Sequence, residues 1–150
     1  MHPTGIKTKI FLDSGDPAET REAIKLLGFL DGQTTNPTLI AKNPAAAKKL
    51  SRGEKFSEQE ILDFYKKTVL EISGLIPEGS VSIEVYADAS TKAEEMLAQA
   101  REFYAWIPPH PALSRQGRGE SGGAHIKFPT TPEGLKAAET IVKEGMQVNM

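Results

Sequence analysis

The chain has 150 residues, of which 39% are hydrophobic and 25% charged, enough for one soluble domain with a single core. Its 18 basic and 20 acidic residues leave a formal net charge of -2, so no overall field draws it to nucleic acid or to an acidic membrane. The absence of cysteine excludes disulfides, thiolate metal sites and a cysteine nucleophile.

Residues 1–10 lack the apolar run of a signal peptide, and no stretch approaches the ~18 apolar residues of a membrane span, so a cytoplasmic location is expected. Lys7 to Asp13 reads as a short strand that ends at Asp13, where Ser14, Gly15, Asp16 and Pro17 supply turn residues. Asp16 is placed to cap a helix with Pro17 at its first position and Glu19 in its first turn; Ala23, Ile24 and Leu27 recur at helical spacing. Gly28 to Thr35 suits a second strand running into a polar loop of Thr34, Thr35, Asn36 and Pro37. After an Ala- and Lys-rich stretch from Ala45 to Leu50, Ser57 and Glu60 form a capping box. The helix they open has Ile61, Leu62, Tyr65, Val69 and Ile72 on one face and is ended by Pro77 and Gly79.

Val81 to Val85 alternates as a third strand, and Thr91 with Glu94 predicts a capped helix whose Met96, Leu97, Ala100 and Phe103 share a face. A fourth strand over His125 to Phe128 is followed by Thr131 as cap, Pro132 at the first helical position and an acidic first turn. Leu135, Ala138, Ile141 and Val142 continue that helix, Gly145 ends it, and Met146 to Met150 begins a fifth strand. The rhythm breaks once, at residues 108–123, where proline, glycine and arginine without an apolar period predict a disordered insertion.

Strands alternating with helices predict an α/β fold with a parallel sheet of right-handed crossovers: four strand-helix units and the start of a fifth strand. A closed eight-unit (βα)8 barrel takes ~250 residues and small ones ~200, so a partial (βα)8 barrel is expected, with residues 1–150 as one domain. In such folds functional side chains lie at the C-terminal ends of strands. Asp13, Asn36, Glu84 and Lys127 all fall at or near such ends, one per unit. Lys127 stands between Ile126 and Phe128, where an ammonium is costly to bury unless paired or deprotonated, and a desolvated lysine is a nucleophile toward carbonyls. An edge-strand lysine facing water is the bland alternative. Asp13 also suits a turn, Asn36 a helix cap, and Glu84 either solvent or a polar barrel interior.

Together, Phe11-Leu12-Asp13-Ser14, Thr34-Thr35-Asn36-Pro37-Thr38-Leu39-Ile40, Val81-Ser82-Ile83-Glu84-Val85 and Ile126-Lys127-Phe128-Pro129-Thr130-Thr131-Pro132-Glu133-Gly134-Leu135 resemble the transaldolase family in order and spacing. The resemblance covers nearly all of the chain apart from the insertion. It implies the N-terminal half of a (βα)8 barrel that transfers a dihydroxyacetone unit between sugar phosphates of the fructose 6-phosphate and sedoheptulose 7-phosphate class, without metal or organic cofactor. On the same basis Lys127 forms the imine, Asp13 transfers protons during carbon-carbon cleavage, and Glu84 assists a water in imine formation. Thr35, Asn36 and Asn149 bind substrate. Glutamate at position 84 resembles the transaldolases, whereas the related fructose 6-phosphate aldolases carry glutamine; a lyase of that kind is the alternative.

Asn149 matches a family Asn-x-Thr element, and the chain ends at Met150, one residue before the threonine that holds the catalytic water. The family's phosphate-binding arginine and serine lie further on still. Activity is therefore expected to be impaired, and an inactive product of a disrupted gene is a further alternative. An open half barrel is expected to expose two strand edges and an apolar inner face, favouring self-association or pairing with a complementing half.

Overall fold

In the computed structural model, residues 8–53, 56–108 and 122–150 are described. Five strands and six helices alternate along them: β1 (Phe11–Asp13), α1 (Pro17–Leu27), β2 (Gly32–Thr34), α2 (Pro37–Lys42), α3 (Pro44–Leu50), α4 (Glu58–Leu75), β3 (Ser80–Glu84), α5 (Ala93–Tyr104), β4 (Gly123–Lys127), α6 (Pro132–Lys143) and β5 (Gln147–Asn149). The strands form one open parallel sheet in the order β1-β2-β3-β4-β5, so spatial order equals chain order. The helices α1, α4, α5 and α6 pack against one face of this sheet. The fold is an α/β sheet of partial-barrel type.

Local chemistry sets most helix starts. The Asp16 carboxylate accepts from the Ala18 N–H at 2.9 Å, and α1 closes on Gly28 in the left-handed region at φ 78. Ser57 and Glu60 form both bonds of the capping box that opens α4. Thr131 accepts from the Gly134 N–H at 3.0 Å at the start of α6. The expected Thr91 cap of α5 is a correction. The Thr91 hydroxyl bonds Asp88, the cap position falls to Lys92 without a side-chain bond, and Glu133 of the next unit accepts from the Ala93 N–H at 3.1 Å.

Other boundaries shift. The second strand is only three residues, with Phe29 and Leu30 before it, and Ala45 to Leu50 is helical within α3. Gly123 begins β4 instead of ending an insertion; of the segment 108–123, residues 109–121 lie outside the described residues.

The core lies between sheet and helices. Val81, Ile83, Val85, Ala124, Ile126 and Phe128 meet Tyr65, Val69 and Ile72 of α4, Met96, Ala100 and Phe103 of α5, and Ala137, Ala138 and Ile141 of α6. Gln33 is on this side too, fully enclosed; it accepts from Thr20 at 2.6 Å and donates to the Ser14 carbonyl at 2.8 Å, which satisfies both ends of its amide. Four residues expected on packed helix faces are exposed: Leu27 at 50%, Leu135 at 52% and Val142 at 58%, on the outermost helices α1 and α6, and Ile61 at 48%, near the start of α4. Leu26 beside Leu27 is exposed at 75%.

Register fixes the opposite face. Phe11, Gly32, Ser80 and Gly123 form one row; Asp13, Thr34, Ser82, His125 and Gln147 the next; and Glu84, Lys127 and Asn149 the row at the strand ends. The Phe11 ring lies across Gly32, where a Cβ would sit 2.3 Å from the ring edge, so only glycine fits there. Apart from Phe11 this face carries polar groups and glycines, which corrects the expectation of an apolar inner surface. The alternation that buries Val81, Ile83 and Ile126 among the helices necessarily turns their polar neighbours the other way.

Candidate active site

The row at the C-terminal strand ends brings three of the candidate residues side by side. Glu84 and Lys127 are register partners on β3 and β4, and Lys127 Nζ stands 3.0 Å from Glu84 Oε2, with the two side chains 29% and 28% exposed. The ammonium is thus half-buried and paired, neither the free edge-strand lysine nor the enclosed unpaired one. Asn149 is the register partner of Lys127 on β5, and its Nδ2 donates to Ser82 Oγ at 2.9 Å, reaching across β4 to β3. The backbone ladder closes the row: Val85 N–H donates to the Lys127 carbonyl and Phe128 N–H to the Asn149 carbonyl, both at 3.1 Å.

Asp13 ends β1 on the same face, one row lower and at the edge of the sheet, exposed and without a hydrogen-bond or ionic partner among the described residues. Asn36 lies two residues beyond Thr34 in extended backbone, and its Oδ1 is committed to the Leu39 N–H at 2.8 Å as the cap of α2, which leaves its amide donors for other partners. Thr35 turns the other way: its side chain faces the helices, is fully enclosed, and donates to the Ser82 carbonyl at 2.7 Å, which braces the strand ends.

Below Lys127 on the same strand and face, His125 is held below its ordinary value chiefly by burial, with Gln147 opposing and the Lys9 charge reinforcing the shift. A neutral imidazole there adds no second positive charge beneath the ammonium. Tyr65, on α4, contacts Thr35 and Glu84 from the helix side. Sequence reasoning assigned Tyr65 only to an apolar helix face and gave His125 no role. The usable signal was the period-two recurrence of polar residues through Ser80, Ser82 and Glu84, through His125 and Lys127, and through Gln147 and Asn149.

Among the described residues, no group of three or more His, Asp or Glu side chains is arranged to hold a metal ion, and no helix is long and apolar enough to cross a membrane. The face can supply one amine, two carboxylates and two carboxamides.

A family profile described as Transaldolase/Fructose-6-phosphate aldolase matches residues 10–150. A probable transaldolase of Dehalococcoides mccartyi is 35% identical over 142 residues, covering 95% of this chain and 50% of the relative. Probable transaldolases of Thermus thermophilus, 37% identical over 142 residues with 95% and 51% covered, and of Thermoplasma volcanium, 34% identical over 141 residues with 94% and 48% covered, are similar. The chain spans about half the length of the curated relatives it matches.

Proposed function

The chain belongs to the transaldolase/fructose-6-phosphate aldolase family, and from that premise we propose that its polar face forms and uses a Schiff base at Lys127 to move a dihydroxyacetone unit between sugar phosphates. The observation that carries this reading is the 3.0 Å approach of Lys127 Nζ to Glu84 Oε2 at the ends of adjacent strands. An amine must shed a proton before it attacks, and Glu84 is the acceptor within reach.

In the proposed sequence the neutral amine adds to the ketose carbonyl. The carbonyl oxygen leaves as water, with protons relayed through Glu84, and a protonated imine results. Asp13 takes the proton of the hydroxyl beta to the imine and the alpha-beta carbon bond breaks. Its electron pair is stored on the nitrogen side as an enamine while the aldehyde fragment departs. Addition of the enamine to an aldose phosphate, return of the proton and hydrolysis restore the lysine. Asn36 and Asn149 orient substrate hydroxyls through their amide donors, at some cost to the Asn149–Ser82 bond. In this reading residues 1–150 act as one domain and no metal or organic cofactor takes part.

Incubation with fructose 6-phosphate and borohydride, followed by mass spectrometric mapping, is expected to place a reduced adduct on Lys127. No label there overturns the reading. Label accompanied by release of free aldehyde, with no transfer to an aldose acceptor, assigns the lyase variant; label with neither release nor transfer limits this chain to imine formation.

A further inference from the structure

We propose that Tyr65 is a positioning residue for the Glu84–Lys127 pair, fixing the end of β3 through a hydrogen-bond relay of single direction; the functional part of this rests on the imine reading above. The direction follows from counting protons. Thr35 Oγ1 donates to the Ser82 carbonyl at 2.7 Å, which uses its one proton, so the 3.2 Å contact between Thr35 Oγ1 and the Tyr65 hydroxyl has Tyr65 as donor. The Tyr65 oxygen is then free to accept, and the Glu84 N–H donates to it at 2.9 Å. The relay runs from Glu84 N–H through Tyr65 and Thr35 to the Ser82 carbonyl, which also accepts the Thr35 N–H at 3.0 Å and so has both lone pairs occupied.

Beyond Glu84 every member is buried, with Tyr65 4%, Thr35 0% and Ser82 0% exposed, so water has little access to these bonds. Burial also pushes the Tyr65 hydroxyl up to about 12, which keeps its proton in place. The relay stands where the sheet runs out. A parallel ladder would draw the next rung from the Glu84 N–H, but β2 ends at Thr34 and the chain turns through Asn36 and Pro37 into α2. The tyrosine hydroxyl substitutes for that rung. On the other side of β3 the Val85 N–H donates to the Lys127 carbonyl at 3.1 Å, so the backbone bearing Glu84 is gripped from both flanks. The Tyr65 ring is itself held edge-on by Phe103 and Trp106, with centroids 6.0 Å away in each case.

The test uses Tyr65→Phe in the full chain, which keeps the ring and removes the hydroxyl, with Phe103→Leu as a variant that loosens the same packing but leaves the relay intact. Amide hydrogen exchange at Glu84 and the rate of borohydride-trapped adduct per folded molecule are both measured. Tyr65→Phe is expected to release the Glu84 amide and to slow trapping on the order of tenfold through misplacement of the carboxylate, while Phe103→Leu changes neither. Wild-type protection of the Glu84 amide in Tyr65→Phe, or trapping at the wild-type rate, overturns the proposal, as does an equal effect of Phe103→Leu. If Tyr65→Phe does not fold, Thr35→Val breaks the relay at its other member and is read in the same way. If the wild-type chain forms no adduct, the imine reading fails, and Glu84 exchange alone decides whether Tyr65 fixes the strand end.

Discussion

Glu84→Gln separates a working carboxylate from a structural ion pair. At 3.0 Å the attraction between Lys127 and Glu84 is roughly 5 kcal/mol for an effective dielectric of ~20. With the side chains 29% and 28% exposed, partial hydration, desolvation and side-chain ordering offset most of that, and the net worth of the pair is about 1 kcal/mol. Glutamine keeps the shape and an acceptor, so the variant is expected to lose about 1 kcal/mol in urea unfolding, or ~2–4 °C in melting temperature for a chain of this size. If Glu84 handles protons during imine formation, the adduct rate at Lys127 falls by about 10²–10⁴-fold, equivalent to roughly 3–5 kcal/mol of activation free energy. The rate loss thus exceeds the stability loss several-fold. An adduct rate within tenfold of wild type, measured on folded protein, refutes the assigned role, and so does a stability loss large enough to account for the rate.

Glu60 is held down to about 2 from an ordinary 4.5, first by its hydrogen bond to Lys49 and then by the Ser57 N–H. Because the folded value is depressed, its contribution to the start of α4 is complete above about 4.5 and is lost as pH falls toward about 2. Carboxyl NMR should give a Glu60 midpoint near about 2, moving upward in Lys49→Met, which removes the first of these bonds; a midpoint at 4.5 refutes this account. Gly134→Ala would set a Cβ 2.0 Å from the Pro129 carbonyl oxygen, a backbone atom that cannot swing away. The variant should lose about 2–3 kcal/mol in urea unfolding with an unchanged m-value, and a loss under ~0.5 kcal/mol would show that α6 can shift freely away from the strand bearing Lys127.

What could be read in advance was whatever is decided within one turn of chain. Asp16 with Pro17, Ser57 with Glu60, and Thr131 with Pro132 announce their helices because cap and first turn are covalent neighbours; Asp13 ends its strand as expected, and β4 stops at Lys127, one residue short of the expected Phe128. Thr91 misled because Asp88, three residues earlier, competes for its hydroxyl. Leu27 and Leu135 carry the helical period of packed residues, but packing needs a neighbour, and α1 and α6 each have one flank without one among the described elements. Thr35 was grouped with Asn36 by motif, although alternation sends adjacent strand residues to opposite faces; the structure follows the alternation. Tyr65 was beyond reach for another reason. Its partners are 30 residues away at Thr35 and 19 away at Glu84, and no local pattern encodes that meeting.

The polar face of the sheet and its two terminal helices behave differently toward water. The face that holds Asp13, Glu84, His125 and Lys127 is wettable, so leaving it open incurs little interfacial free energy. Leu26 and Leu27 at one end and Leu135 and Val142 at the other resemble uncapped terminal repeats of a solenoid, whose outer surfaces lack the polar finish that capping repeats provide. The two terminal helices thus carry four of the exposed large apolar side chains among the described residues, and charged residues at those four positions would act as caps without touching the chemistry of the polar face.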